Sequence, residues 1–496
     1  MYNRKNLWRK FKFIGILLVG LPLATFSQSP FKDGTWHRIA IANSGFYRID
    51  QAWLRKQNIT GDTRNIGLYA AAPGMLLQDP AKAPTNNLYP VPASLEESGQ
   101  LIFWGESPNE LQFDAKSASW NQTTHAYTDS SYYYLRTDDP KPLRINLFRP
   151  SKGNGSPLNF ATTLSRYEPE KYNLIQSGRI WLGDALYGSG NLALQYALKD
   201  VKDGSPGELK ARFYAGATSA SKFTLSIPGN TPISAEIPAI SGNRYDQKAF
   251  FTDIRQPINV APASSNWNWN IGYQTTSGTG YVDYIQLAYA RKFNANTELP
   301  LYLFSNSRDT TANLQIPNLQ PTSLIWFKNG QNEWQKIQAP GTEMEIRISP
   351  GSQLALGNTN LASYPVWRDR IPNQDLLAQD PKLQFIIIAS PPLRSAAEKL
   401  AKFKSDIQKI PTQTVTTAQI YHEFSGGKQD VSAIRNYLQA LTKQTALRYV
   451  LILGDASIDY KGKSAVASAL EKSCYVPTYQ SLESTQPLMV DNSGRN

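Results

Sequence analysis

The sequence predicts a β-rich N-terminal region, sandwich- or barrel-like, followed by an α/β unit with parallel strands. Three observations predict it. From Thr35 to about Ser349, short aromatic segments are separated by clusters of Pro, Asn, Gly and Asp, the spacing of an all-β sandwich or barrel. Near residue 375 the texture changes to continuous apolar runs, which suit strands buried on both faces, alternating with helical periodicity. The composition, with 26 Tyr, 11 Trp, 32 Gly and 32 Pro, suits many short strands joined by turns. At 496 residues the chain is too long for one core and implies roughly two to four domains. A hydrophobic content of 41% with 18% charged residues is that of a globular chain.

The first 27 residues read as a secretory signal peptide. MYNRKNLWRKFK carries five basic residues and no acid, FIGILLVGLPLATF is an apolar run broken by Pro22, and small residues precede Gln28. That run is shorter than the ~20 residues a membrane span requires. Removing the segment takes the formal charge from +12 to +7. No Lys/Arg cluster interleaved with aromatics stands out, so nucleic acid is not implied, while the modest basic excess is compatible with an anionic membrane surface or lipopolysaccharide. Cys474 is the single cysteine, so an exported chain has no internal disulfide. A cysteine-built zinc site is excluded, and His37, His125 and His422 are too scattered to suggest a metal site.

In order, GTWHRIAIANSGFYRID reads as a hairpin turning at Asn43-Ser44-Gly45. LIFWGE (101–106) and SYYYLRT (131–137) are further aromatic strands, and residues 75–95, with Pro80, Pro84, Pro90 and Pro92, form a long loop. LALQYAL (192–198), ELKARFYAG (208–216), KFTLSIPG (222–229) and GYVDYIQLAYARKF (280–293) continue the strands. TSLIWFKNGQNEWQKIQ (322–338) is a hairpin with its turn at Asn329-Gly330. LQFIIIAS (383–390) is the first buried strand of the α/β unit. A helix follows, with Ala397, Leu400, Phe403 and Ile407 on its inner stripe and Lys399, Lys402 and Lys404 off it. QTVTTAQIY supplies a second strand and Ser425-Gly426-Gly427 breaks the chain. Asp430 caps a helix with Val431, Ile434, Leu438 and Leu441 inward. YVLIL (449–453) is the third strand. This order requires right-handed crossovers and parallel strands, whose ligands bind beyond the carboxyl ends.

Asp455, at such an end, and Asp459 are candidate site residues: they could orient a base, hold a cation or select a basic substrate group. Aspartates in such turns more commonly act as caps. His422 and Cys474 form a second candidate, a dyad in the order and approximate spacing of caspases, with imidazole taking the thiol proton. Their contexts, AQIYHEFSGG and LEKSCYVPTYQ, lack the core strand and Gly-rich turn that would expose such a pair, and a lone Cys is more often buried filler. Tyr132, Tyr133 and Tyr134 could stack on sugars, but on a strand they alternate faces and packing is the commoner role. No GxSxG, P-loop or HExxH is present.

From Leu383 to Asp459 the chain resembles the start of the catalytic domain of gingipain-type cysteine peptidases. LQFIIIAS, KLAKFKSD, TTAQIYHEFSGGKQDVSAIRNYL and YVLILGDASIDY carry the likeness. With WHRIAIANSGFYRID, LIFWGESPNE, HAYTDSSYYYL, SGRIWLGD and GYVDYIQLAYARKF, it is similar to the N-terminal portion of PorU-type sortases of the type IX secretion system, with gaps, over most of residues 34–480. The resemblance implies three parts: a signal peptide (1–27), a β-rich region (28–370) and the start of a caspase-like peptidase domain (375–496). It implies a cysteine endopeptidase and transpeptidase on the Gram-negative cell surface, associated with the outer membrane. Such an enzyme removes the C-terminal signal domains of secreted cargo and joins cargo to lipopolysaccharide. Its implied partners are that cargo, the outer-membrane components of the secretion system, and lipopolysaccharide. It needs no cofactor, though the family pattern admits a structural calcium ion. The family's catalytic Cys and its His in a Gly-His-Gly-like turn lie C-terminal to the GD strand and are expected beyond Asn496, leaving these residues inactive alone. Asp455 and Asp459 would then rim the active site. The sequence departs from the family at Asn492, beside Asp491, at SLIWFKNG, and at His422. The alternative reading is a non-catalytic cell-surface binding module of the secretion apparatus.

Overall fold

The computed structural model describes residues 29–463, apart from 80, 82–87, 154, 175–178, 244–245, 261–266, 331, 340 and 458, together with 476, 477 and 479. The signal segment, Cys474, Asp491 and Asn492 lie outside the described residues.

The N-terminal module is a two-layer β structure. Trp36–Ile41 pairs antiparallel with Ser131–Arg136 on one side and with Val366–Ile371 on the other, in a five-stranded sheet completed by Gly67–Ala70 and Tyr89–Pro90. A three-stranded sheet of Gly45–Ile49, Leu101–Gly105 and Ala93–Leu95 faces it. Ile39, Ile41, Ile49, Leu68, Phe103 and Tyr133 pack between the layers. Asp50 caps the short helix α1 (Gln51–Lys56), its carboxylate accepting from Trp53 N at 2.8 Å.

The hairpin expected over residues 34–50 is not formed. Its two strands are present, but each pairs in a different sheet, and the Asn43-Ser44 corner carries the chain from one layer to the other. Tyr47 holds the corner, its hydroxyl donating to Asn43 O at 2.9 Å. The physical reason is burial on both faces. Trp36 packs with Phe31 and Tyr134 on the far side of its sheet, while Phe46 reaches Trp104 and Trp326 on the far side of the other. Alternation shows that a segment is a strand; it does not choose the partner.

Between Asn146 and Asn358 the chain builds two further sandwiches on one continuous ten-stranded sheet. One half of that sheet, with Pro206–Gly216, Phe250–Asn259 and Thr279–Lys292, is covered by a four-stranded sheet. Phe213 stacks on Phe223 at 4.5 Å in the core between them. A three-stranded sheet covers the other half around Phe304, Phe327 and Met344. The hairpin at residues 322–338 forms, pairing Trp326 with Lys336, and Gly330 takes the positive φ of 59° that its turn needs.

The α/β unit has three parallel strands in the order Thr412–Thr416, Phe385–Ala389, Tyr449–Leu453. Helix α2 (Arg394–Asp406) covers one face. Helices α3 (Thr417–Phe424) and α4 (Ser432–Thr442) cover the other, against Ile386, Ile388 and Val415. Two expectations are corrected here. The second strand ends at Thr416, and TAQIYHEF is helix: Thr416 and Gln419 form a reciprocal capping box, which starts α3 inside a segment read as strand. Helix α2 docks through Ala397 and Ala401, whose short side chains let it lie close to the sheet, leaving Phe403 and Ile407 48% and 68% exposed. Asp430 does cap α4, accepting from Ser432 N at 2.8 Å, with Val431, Ile434 and Leu441 buried and Leu438 packed at the margin of the core.

Among the described residues no helix is long and apolar enough to cross a membrane, which says nothing of a β-barrel.

Candidate active site

The carboxyl ends of the parallel strands are marked by Ser390, Thr416 and Gly454-Asp455. Thr416 is committed to capping α3. Ser390 is fully buried, its N–H donating to Leu453 O at 3.2 Å, and its hydroxyl has no hydrogen-bond partner among the described residues. Asp455 is exposed. Its carboxylate accepts from Ala456 N at 2.8 Å, and its carbonyl accepts from Val476 N at 2.8 Å, so the chain returns to this rim. A carboxylate in this place can bind a cationic group of a substrate or orient a neighbouring base; it supplies no nucleophile.

Asp459 has a different environment from Asp455. It is buried, its carboxylate accepting from Lys463 N at 2.8 Å and its carbonyl from Gly462 N at 3.3 Å, so it closes the turn 459–463. That turn is anchored on the β-rich region. Tyr460 packs edge-on against Tyr127 at 4.9 Å. The Lys461 ammonium, only 5% exposed, reaches Glu170 at 2.7 Å and Asp129 at 2.9 Å, and Lys463 also pairs with Glu170.

His422 sits on α3 at the seam with the N-terminal sheet, not at the strand ends. Its Nδ1 shares a hydrogen bond of 2.9 Å with the Tyr134 hydroxyl, and Phe31 lies edge-on to its ring. Burial, with a smaller contribution from the Arg38 charge, lowers its pKa to about 3, so the ring is neutral. Cys474, its suggested partner, lies outside the described residues, and no thiol is among them.

The same seam holds three buried charged groups that sequence reasoning did not single out together. Glu423 accepts from Gln374 Nε2 at 2.9 Å and from Leu376 N at 3.2 Å, and burial raises its pKa to about 7 against the opposing effect of those bonds. Lys428 donates to the carbonyls of Ala72 and of Gly74, the latter at 2.8 Å; burial lowers its pKa to about 8, partly offset by Asp430. Asp430, besides capping α4, accepts from Leu76 N at 2.7 Å. Gly426 and Gly427 carry the chain past Ala71 and Tyr134 with φ of 60° and 84°; a Cβ on Gly427 would lie 2.6 Å from the Tyr134 hydroxyl. The specific string from Thr416 to Leu438 is therefore largely a docking surface. Two adjacent glycines followed by Lys and Asp, between two helices, were the available signal. Residues 72–78, of which only 75–78 fall in the segment read as a long loop, supply its backbone partners.

Residues 378–493 match the model for peptidase family C25. No curated protein sequence matches the chain. Among solved structures, the chain is similar to dimeric latent PorU from Porphyromonas gingivalis, with 19% identity and a TM-score of 0.79, over 91% of this chain and 44% of that one. The chain thus spans less than half the length of that protein, and the likeness establishes the fold: a β-rich N-terminal region with a gingipain-type unit after it. Two weaker likenesses carry no weight. One is to the insecticidal delta-endotoxin Cry8Ea1 from Bacillus thuringiensis (10% identity, 32% of this chain and 27% of that one, TM-score 0.19). The other is to a CBM36-1 domain of a xylanase from the hindgut metagenome of Trinervitermes trinervoides (14% identity, 25% and 95%, TM-score 0.16). Among the described residues no group of three or more His, Cys, Asp or Glu is placed to hold a metal ion.

Proposed function

We propose that this chain is the N-terminal portion of a type IX secretion-system sortase, a cysteine endopeptidase and transpeptidase of the cell surface. The observation that carries the reading is the C25 match over the α/β unit of a chain whose fold is PorU-like along 91% of its length. The substrates are secreted proteins with C-terminal signal domains. A thiolate attacks the scissile carbonyl and an imidazolium protonates the departing amine. The resulting thioester is then resolved by water or by an amine of lipopolysaccharide. The reading places that thiol and imidazole beyond Asn496, gives Asp455 the rim of the substrate cleft, and gives Asp459 and His422 structural roles. The β-rich region positions the peptidase unit through the seam at Tyr134 and the anchor at Glu170.

The test compares this chain with the protein that its reading frame encodes beyond Asn496, each incubated with a cargo carrying a C-terminal signal domain. Thiol-dependent cleavage by the longer protein alone is expected. Cleavage by the chain itself, abolished by Cys474→Ala, would overturn the assignment and make His422 and Cys474 the catalytic pair.

A further inference from the structure

The outer face of the long sheet carries a cavity of about 480 Å³ that the peptidase reading leaves without a role. It is organised by a β-bulge. Along Thr279–Lys292, Val282 and Ile285 point into the sandwich core, so two consecutive residues, Asp283 and Tyr284, lie on the outer face. The pairing register shows the extra residue: Arg212 pairs with Tyr284 and Phe213 with Val282, so Asp283 is passed over. Bulges recur where a strand must re-aim a side chain toward a site.

The cavity is polar, yet most of its charges are already satisfied. Arg166 pairs with Glu168 at 2.7 Å and bonds Gln286 at 3.1 Å. Arg212 makes a two-pronged pair with Asp253 at 2.7 and 3.0 Å. Lys210 donates to Asn121 at 2.6 Å, and Glu170 is held by Lys461. None of these groups calls for a charged ligand. Three features remain open. The Asp283 carboxylate has no hydrogen bond or ion pair among the described residues. Arg179 Nε is buried without a partner among the described residues. Trp181 lines the wall and stacks on no other described ring. An apolar ligand would leave the polar walls unsatisfied, and a simple ion would leave the ring unused. A ligand with several hydroxyls around a flat C–H face satisfies all three. The volume lies within the ~300–1,000 Å³ of small-molecule sites.

We propose that this cavity binds a saccharide, with Asp283 accepting from its hydroxyls, Arg179 donating to it and Trp181 covering one ring face. The inference is independent of the peptidase reading, since the site lies wholly in the β-rich region and would persist in a chain without peptidase activity.

The test is saturation-transfer NMR on the purified chain with galactose, mannose, N-acetylglucosamine and glucuronic acid as separate probes. Transfer to at least one sugar at millimolar concentration is expected, with affinity reduced tenfold or more by Asp283→Leu. Because a change in the bulge could disturb the sheet, Trp181→Ala, in a loop, is measured alongside with an unchanged melting temperature as the control. Absence of transfer with all four sugars overturns the proposal. So does binding that neither substitution weakens, or a cavity that takes lysine amide through Asp283 and no sugar.

Discussion

The Nδ1 of His422 and the hydroxyl of Tyr134, 288 residues apart in sequence, lie 2.9 Å apart inside the protein. Their hydrogen bond joins the α/β unit to the N-terminal sheet. Tyr134→Phe leaves a buried ring nitrogen without a partner and is expected to lower stability by about 1–3 kcal/mol. Tyr134→Phe with His422→Leu removes both polar groups and is expected to cost less than the sum of the single changes. Urea unfolding of the four proteins in a double-mutant cycle measures the coupling; strictly additive costs would refute it.

Adjacent residues on α3 give opposite pH dependences. His422 has a folded pKa of about 3 against an ordinary 6.5, so the unfolded chain binds the extra proton and stability falls as pH drops from about 6.5 to 3. Glu423 has a folded pKa of about 7 against an ordinary 4.5, so its contribution is full below 4.5 and is lost as pH rises through 7. Between roughly pH 4.5 and 6.5 the two oppose each other. Relative to the wild-type chain, His422→Gln is expected to tilt the stability profile downward with rising pH there, and Glu423→Gln upward. Each tilt approaches about 1.4 kcal/mol per pH unit. Thermal melts across that range check the sign, and parallel profiles would contradict the assignment.

Gly427→Ala places a Cβ 2.6 Å from the Tyr134 hydroxyl at a positive φ. A loss of about 3 kcal/mol is expected, against about 1 kcal/mol at Gly99, which has a similar φ and open space around it. In a Tyr134→Phe background, which lacks the clashing oxygen, Gly427→Ala should cost less than it does in the wild-type chain. Chemical denaturation of these variants, with Tyr134→Phe alone as the reference for the double change, decides it.

Lys461→Met removes the central cation of the anchor at Glu170. The expected loss is on the order of 2 kcal/mol, less than the ~3–5 kcal/mol of a fully buried pair because Lys463 still reaches Glu170. Amide exchange of residues 459–463 should rise while that of Phe385–Ala389 stays protected. Unchanged exchange in the turn would show that Tyr460 alone anchors it.

Much of the fold was legible because short strands bounded by turn residues, and the three apolar runs of the α/β unit, announce themselves through local pattern. Partner choice did not. Gly45–Ile49 looks like the return strand of Trp36–Ile41, and only Leu101–Gly105, buried along its whole length, explains why it pairs elsewhere. The capping box at Thr416-Gln419 was readable in the sequence but was overshadowed by the β-branched run before it. Asp430 was recognised as a cap, whereas its reach to Leu76, and the burial of Lys428 and Glu423, depend on chain segments tens to hundreds of residues away. A buried charge has no sequence signature until the surface that covers it is known. The Asp283 bulge was hidden similarly: the strand reads continuously from Gly280 to Phe293, and only the register with Arg212 and Phe213 reveals the extra residue.

The strand Val366–Ile371 completes the sheet that Trp36–Ile41 begins, and Arg38 pairs with Asp369 across 331 residues of chain. As the chain emerges from its N-terminus, the first module waits with one flank of Trp36–Ile41 bare while both later sandwiches are made. A bare, apolar strand flank is a template for wrong pairing. The long loop closure makes this the slowest contact of the module to form. The design thus ties assembly of the first layer to arrival of the segment leading into the α/β unit, so that a chain interrupted before residue 366 would expose the flank that an intact one conceals.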